Sequence, residues 1–214
     1  MYLPVHFQED RVDVLHALIR NHPLGMLVTM TADGLEANHI PFMVDHGPGP
    51  LGTLRGHVAR ANPVWKDFSR DVEAMVVFQG PDSYVTPSWY ASKQEHGKVV
   101  PTWNYAVVHA YGAIKVVDGA EWMSPFLERL TDRHEAPRAA PWKVGDAPAD
   151  YLQTTMRAVV GIEIPISKLM GKWKVSQNRS KADREGVAAG LNEMQGEAAK
   201  EMGKLVVGAA EKGK

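Results

Sequence analysis

Apolar and polar residues alternate along this chain in blocks that predict short strands joined by tight turns. The apolar run LGMLVTMT (residues 24–31) is followed by Asp33–Gly34, a dipeptide typical of β-hairpins, and then by LEANHIPFMVD. Gly80–Pro81 predicts a further turn. The remaining strand-like segments are TLRGHV, VEAMVVFQG, SYVTPSWY, TWNYAVVHAYGAIKVVD and VVGIEIPI, which we expect to be the final strand. About six strands with short connections favour an antiparallel closed sheet.

Helical periodicity appears in four places around these strands. It predicts helices over Gln8–Asn21, GAEWMSPFLERLTDRHE and DYLQTTMRA. In the tail, apolar residues follow one helix face at Val187, Leu191, Met194, Ala198, Met202 and Leu205. We therefore expect a mainly β protein with peripheral helices (α+β), with one domain over residues 1–179. We expect residues 180–214 to form an amphipathic helical extension that packs on the body or on a partner; the alternative is an arm that binds DNA or a membrane.

Composition excludes several kinds of site and partner. The absence of cysteine excludes disulfides, iron–sulfur ligation and thiol nucleophiles, and it fits a reducing cytoplasm. The net charge of −1, from 24 basic and 25 acidic side chains, does not support direct DNA binding. No apolar run approaches the length of about 20 residues that spans a bilayer, so we expect no membrane association. The histidines lack a metal-ligand spacing, so no metal site is predicted.

The segment HGPGPLG matches GxGxxG only as a string of letters. A dinucleotide-binding loop opens a helix whose amide N–H groups face the pyrophosphate. Here Pro48 and Pro50 remove two such donors, and a strand follows. We therefore predict a turn.

Three segments carry more polar groups than a strand requires. GTLRGHVARANP places Arg55, His57, Arg60 and Asn62 around a strand end, which suits a phosphate or an ordinary capped strand end. In GKVVPTWNY, the pair Trp103–Asn104 suits a stacked planar heterocycle, or a cap on the barrel core. GKWKVSQNRS supplies donors that include Lys174 and Gln177; the alternative is a basic surface linker.

Six blocks together resemble the PaiB family of FMN-binding negative transcriptional regulators. They are MYLPVHF, NHIPF, GTLRGHVARANPVW, YVTPSWY, GKVVPTWNY and GKWKVSQNR, in the family's order, and they span residues 1 to about 180. The resemblance implies a six-stranded, antiparallel, FMN-binding split β-barrel, similar in fold to pyridoxamine-phosphate oxidase. It also implies a homodimer whose two FMN sites are lined by both subunits.

The same resemblance assigns cofactor-binding residues. It implies that the phosphate lies near Arg55, His57, Arg60 and Asn62, and that the second strand brings Asn38, His39 and Ile40 towards the ring. Trp103, Asn104, Lys174 and Gln177 are expected contributors from the later blocks. A lysine next to the N1–C2=O edge of a flavin would stabilise negative charge on the reduced ring.

Two functions follow from this resemblance, and a third is weaker. The first is a negative transcriptional regulator or a flavin-dependent sensor that acts through another protein, since no helix-turn-helix is visible. The second is an FMN-dependent oxidoreductase acting on a small molecule, with His39 or Tyr105 as candidate acid–base groups. The third is haem binding, with His96 or His109 as an axial ligand.

Overall fold

Strands dominate the first four fifths of the chain and helices the last fifth. The structure is a computed structural model that describes residues 1–47 and 49–211. Its strands are β1 (Gln8–Glu9), β2 (Leu24–Thr31), β3 (Gly34–Pro41), β4 (Met43–Asp45), β5 (Thr53–Ala59), β6 (Ala74–Val85), β7 (Thr102–Gly112), β8 (Lys115–Val117), β9 (Val159–Pro165) and β10 (Lys168–Lys174). Its α-helices are α1 (Val12–Asn21), α2 (Ser92–His96), α3 (Ala120–Glu135), α4 (Ala149–Arg157), α5 (Lys181–Glu193) and α6 (Glu197–Glu211).

The strands form two sheets. One has six strands in the order β1-β10-β7-β6-β2-β3, and the other has four in the order β4-β5-β9-β8. The β2–β3, β2–β6, β5–β9, β8–β9 and β1–β10 pairs are all antiparallel. The predicted α+β class with antiparallel sheets is therefore confirmed.

The chain divides into two compact units that interleave along the sequence. The first unit contains Met1–Asn21, Gln79–Val108 and Met170–Lys214, and the second contains His22–Phe78 and His109–Leu169. Leu15, Ile19 and Val108 are among the fully buried residues of the first unit. The second unit has its core between sheets that carry Phe42, Phe78, Leu54 and Ile162, all of which are buried.

The Asp33–Gly34 hairpin is confirmed. Gly34 has φ +119°, a conformation that favours glycine, and β2 pairs with β3 from Thr31–Gly34 to Leu24–Pro41. The expected turn around HGPGPLG is also present: residues 50–51 form a turn between β4 and β5. Pro48 lies outside the described residues.

The prediction of a turn at Gly80–Pro81 is wrong, because β6 continues through both residues to Val85. Gly80 allows a close approach here: an added Cβ would lie 2.8 Å from Leu18 and 3.0 Å from the carbonyl oxygen of Ala106. Gly80 thus allows Leu18 and Ala106 to pack closely against β6, which is a common role of glycine inside a strand.

The expectation that VVGIEIPI is the final strand is also wrong. Residues 168–174 form β10, which pairs with β1 at Gln8–Lys172. The tail forms two helices rather than one, separated at Gly196, where φ is +112°. In the described part of the chain, no helix has the length and apolar character needed to cross a bilayer.

Candidate functional site

The predicted cofactor-binding residues divide between the two units. The second unit contains the strand and phosphate candidates, Asn38, His39, Ile40, Arg55, His57, Arg60 and Asn62. The first unit contains Trp103, Asn104, Lys174 and Gln177. Each group is described within its own unit.

A pair of amide side chains joins β3 to the turn after β5. Asn62 donates through Nδ2 to Oδ1 of Asn38 at 2.8 Å, and Asn38 donates to Glu36 at 2.9 Å. Asn62 Oδ1 also accepts from the amide of Val64 at 2.9 Å, which caps the short 3₁₀ helix Pro63–Trp65. The blocks NHIPF and ARANP, separate in the sequence, therefore meet in the structure.

Strand alternation places the three β3 candidates on two faces. Ile40 is buried, Asn38 is half-buried, and His39 is exposed. Because successive side chains of a strand point to opposite faces, Asn38 and Ile40 share one face and His39 lies on the other. The side chains of all three cannot contact one small ligand within a single chain.

Arg55 is held by two carboxylates between β5 and its neighbours. Its Nη1 donates to Asp45 at 2.9 Å and its Nε to Glu163 at 2.8 Å. Helix α3 joins the same cluster, since Trp122 donates to Glu163 at 2.9 Å and Arg129 pairs with Asp45. A phosphate at Arg55 would therefore compete with carboxylates that are largely shielded from water.

His57 lies beside Phe126 of α3, with ring centroids 5.7 Å apart in an edge-to-face arrangement. Its Nδ1 is buried and has no hydrogen-bond partner in the described structure. Burial lowers the pKa of the imidazole below its ordinary value. A buried ring nitrogen without a partner is unusual, and a ligand group that reached it would satisfy its hydrogen bonding.

Arg60 makes a more open set of contacts. It pairs in a bidentate manner with Asp118, at 2.7 and 2.9 Å, and donates to the carbonyl oxygens of Arg157 and Val159. The two side chains of the ion pair are 37% and 59% exposed. Arg60 and Asp118 line a cavity of about 420 Å³ whose apolar wall includes Met123. The guanidinium can therefore exchange its partner at the surface.

In the first unit, Lys174 lies against the strand that carries Trp103. Its Nζ donates to the carbonyl oxygen of Trp103 at 2.7 Å and to the hydroxyl of Thr102. Burial, together with the charges of Lys172 and Arg179, lowers the pKa of Lys174. The indole of Trp103 is 54% exposed and meets Tyr84 edge-to-face at 6.0 Å. An exposed aromatic surface thus stands next to a fixed ammonium group.

Asn104 and Gln177 hold the chain in place. Asn104 is buried and donates to the hydroxyl of Ser176 at 2.9 Å. Gln177 accepts from the amide of Val175 at 2.8 Å and donates to the carbonyl oxygen of Trp173. These contacts bring GKVVPTWNY and GKWKVSQNR together.

Some residues of these clusters are absent from the predicted set. Ser176 has φ +63° and still anchors Asn104, and nothing in its sequence neighbourhood marks a left-handed serine. Asp45 and Glu163 pair with Arg55 from distant parts of the chain. Lys172 donates to the carbonyl oxygen of Tyr2 at 3.1 Å, a contact that the MYLPVHF block could have indicated.

The histidines considered for haem or a metal differ in their surroundings, and the Nδ1 of His109 is buried without a hydrogen-bond partner in the described structure. His96 of α2 is exposed, and its Nδ1 accepts from the amide of Lys98 at 3.0 Å. His109 in β7 is half-buried, and burial lowers its pKa. Over residues 1–47 and 49–211, no group of three histidine or carboxylate side chains is arranged to hold a metal ion.

Both groups of residues have the chemistry that a flavin nucleotide needs. The first unit supplies an exposed indole and an ammonium group, which suit a planar ring that gains negative charge on reduction. The second unit supplies an exchangeable guanidinium, a partnerless imidazole nitrogen and two amides, which suit a phosphate and polar ring edges. Each group, taken by itself, therefore has side chains that fit part of an FMN molecule.

Comparison with known families agrees with this chemistry. Residues 1–168 match the model of the family described as "Putative FMN-binding domain". The chain belongs to this family of FMN-binding domains. The predicted cofactor, FMN, is confirmed at the level of the family.

Individual relatives extend the similarity over nearly the whole chain. The chain is 28% identical to "Protease synthase and sporulation protein PAI 2" of Bacillus subtilis, over 96% of both proteins. It is 34% identical to an uncharacterized protein of Emericella nidulans, again over 96% of both. The resemblance to the PaiB family is therefore confirmed.

A solved structure supports the fold. The FAD and heme binding protein from Mycobacterium smegmatis superimposes with a TM-score of 0.57, over 86% of this chain and 80% of that one. The two sequences are 18% identical, so the similarity concerns the fold alone.

Proposed function

We propose that this protein binds FMN in a split β-barrel and acts as a flavin-dependent sensor of the PaiB type. The observation that carries the proposal is the position of the Lys174 ammonium, 2.7 Å from the carbonyl oxygen of the exposed Trp103. Bound FMN supplies reversible one- and two-electron redox chemistry. In the proposal, Trp103 stacks on the flavin and Lys174 stabilises charge at the N1–C2=O edge. Asn104 and Gln177 shape the same segment.

For the phosphate we propose Arg60 as the principal ligand, with His57 and Asn62 as further candidates. The carboxylate partner of Arg60 is 59% exposed, so its ion pair contributes little and opens at low cost. Arg55 is paired with carboxylates that are 19% and 20% exposed, so we propose that it contributes positive charge without contacting the phosphate. Asn38 and Ile40, which share one face of β3, are proposed as further contacts of the cofactor.

We also propose that two copies of the chain form a homodimer through β2 and β3. One face of this hairpin carries apolar side chains in register, and they remain exposed: Leu24 at 60%, Met26 at 37%, Met30 at 39% and Leu35 at 74%. An apolar sheet face of this kind is typical of an interaction surface. His39 lies on the same face, opposite Met26, and is therefore placed in the proposed interface.

A sensor that acts through another protein is favoured over a direct DNA-binding regulator. The net charge is −1, and Arg55 and Arg129 are already paired with a carboxylate that is 19% exposed, Asp45. Phosphate contacts by free basic groups supply most nonspecific DNA affinity. A gel-shift experiment at low salt with promoter fragments tests this point; retention of a fragment would restore direct DNA binding.

An FMN-dependent oxidoreductase is the second candidate, and Lys174 favours it. A cation near the flavin stabilises the reduced ring and so assists its acceptance of a hydride. Consumption of NAD(P)H that requires FMN, and that is lost in Trp103→Ala and Lys174→Met, would support this function. If FMN-loaded protein consumes no NAD(P)H, the sensor stays as the proposed function.

Fluorescence titration with FMN tests the binding proposal directly. We expect the purified wild type to be yellow, and Lys174→Met and the double variant His57→Ala/Arg60→Ala to bind FMN more weakly. Arg138→Ala is the matched control, because Arg138 is an exposed arginine with one carboxylate partner, Glu135. Wild-type protein that stays colourless and takes up no added FMN would refute the proposal. Equal binding by the double variant would refute the phosphate site.

Two further features of the proposal come from the sequence. Residues 1–179 are proposed as the FMN-binding domain and residues 180–214 as its helical extension. A cytoplasmic location stays a prediction that rests on the absence of cysteine.

A further inference from the structure

Helix α5 receives Trp89 in a groove made by two glycines. Trp89 belongs to the short 3₁₀ helix Pro87–Trp89 between β6 and α2. An added Cβ at Gly186 would lie 1.9 Å from the carbonyl oxygen of Trp89, and one at Gly190 would lie 2.2 Å from its indole ring. Glycine at both positions is therefore a condition for this close contact.

A buried carboxylate fixes the next part of the same segment. Asp183, in the first turn of α5, is 4% exposed and accepts from both the amide and the hydroxyl of Ser92 at 2.9 Å. Buried carboxylates of this kind hold their donors firmly, because an unsatisfied charge would be costly. The starts of α5 and α2 are thus joined by two charge-assisted hydrogen bonds.

Apolar packing extends this attachment to the end of β10. Helices α5 and α6 form a buried cluster that also contains Val85, Tyr90 and Val175. Val175 lies between Lys174 and Ser176, and Ser176 is hydrogen-bonded to Asn104. The C-terminal helices therefore pack against Val175, which directly follows Lys174, the residue on which the proposed flavin site rests.

We propose that α5 and α6 act as a brace for the flavin site, with Gly190 and Asp183 as positioning residues. By holding Trp89, Ser92 and Val175, the helices fix the backbone of residues 174–177 in the conformation that presents Lys174 and Gln177. This inference rests on the proposed binding of FMN. The helices lie beyond residue 168, where the match to the family model ends, as do Lys174 and Gln177.

Gly190→Ala tests the brace, with Gly208→Ala in α6 as the control, because an added Cβ at Gly208 meets no atom within 4 Å. In FMN-free protein, we expect amide hydrogen exchange over residues 173–179 to become about tenfold faster in Gly190→Ala and to stay unchanged in the control. We expect the dissociation constant for FMN to rise about tenfold in parallel.

Asp183 supplies a second test if Gly190→Ala fails to fold. Asp183→Ala removes the acceptor for Ser92, whereas Asp183→Asn keeps one oxygen acceptor. We expect faster exchange over residues 173–179 and weaker FMN binding in Asp183→Ala, with most of both effects reversed in Asp183→Asn. A merely global loss of stability would not be restricted to this segment.

The two readouts separate the brace from the function on which it rests. Unchanged exchange over residues 173–179 in Gly190→Ala and Asp183→Ala overturns the brace, whatever binds to the protein. Faster exchange with unchanged FMN affinity overturns its role at the flavin. A wild type that binds no FMN refutes the proposed function, while faster exchange in the variants still establishes that the helices hold this segment.

Discussion

Asn62 donates a 2.8 Å hydrogen bond to the side chain of Asn38, and with its own oxygen it caps the helical turn that follows. One amide therefore performs two tasks that a single substitution can separate. Aspartate preserves the capping oxygen but cannot donate to Asn38.

We expect Asn62→Asp to lose about 1 kcal/mol of unfolding free energy, because one part-buried hydrogen bond disappears. FMN affinity should fall as well, since the new carboxylate repels the phosphate. Denaturant titration and FMN fluorescence measure the two effects. Asn62→Ser retains a capping oxygen without the charge and is the control. Wild-type FMN affinity in Asn62→Asp would place the phosphate elsewhere.

The ion pair between Arg60 and Asp118 predicts opposite effects for its two members. Arg60→Ala should raise the dissociation constant for FMN about tenfold, because a charge-assisted contact with the phosphate is lost. Asp118→Asn should lower it about threefold, because the competing carboxylate is gone. Isothermal titration with FMN measures both. If the two variants weaken binding equally, the pair is structural and does not bind phosphate.

The exposed apolar face of β2 and β3 predicts the assembly state. Leu35→Lys places a charge on a side chain that is 74% exposed in the single chain, so the monomer should tolerate it while a dimer should dissociate. Light scattering coupled to size exclusion measures the mass. Val207→Lys, at a position 50% exposed on α6, should leave the mass unchanged. A Leu35→Lys protein with the wild-type mass would exclude this face as the interface.

Acid should destabilise the FMN-free protein through its half-buried histidines. Burial lowers the pKa values of His57 and His109 below their ordinary value of 6.5, so the unfolded chain binds more protons than the folded chain as the pH falls through 6.5. The unfolding free energy should therefore decrease between about pH 7.5 and about pH 5.5.

His57→Gln tests this assignment by removing one titrating group. Its unfolding free energy, from denaturant titrations across the same range, should decline less steeply than that of the wild type. His134→Gln, which changes an exposed histidine of α3, is the control. Identical slopes for all three proteins would show that burial of His57 has no part in acid sensitivity.

Local features of this fold could be predicted from the sequence, and distant pairings could not. Asp33–Gly34 specifies a hairpin by its own backbone preferences. Gly80–Pro81 wrongly predicts a turn. Glycine is needed there because Leu18 and Ala106 pack closely against it, and no local sequence pattern indicates those neighbours. Strand β10 was missed because its lysines indicate a surface segment, although Lys172 is 8% exposed.

In the candidate site too, local features could be predicted from the sequence and distant pairings could not. The residue types expected for a flavin nucleotide could be recognised in their blocks, and so could the family. The carboxylates that oppose Arg55 and Arg60 could not, since Glu163 lies 108 positions from Arg55 and Asp118 lies 58 from Arg60. These partners decide which arginine is available for a phosphate.

The order in which this chain is synthesised bears on how it folds. Strand β1 pairs with β10 through Gln8 and Lys172, and the first unit draws on both ends of the sequence. Strand β1 therefore cannot pair with β10 until residues 168–174 have left the ribosome. Contacts of such wide sequence separation slow folding. Residues 8–9 thus stay unpaired until residues 168–174 have been synthesised, and loss of either segment removes the pairing of the other.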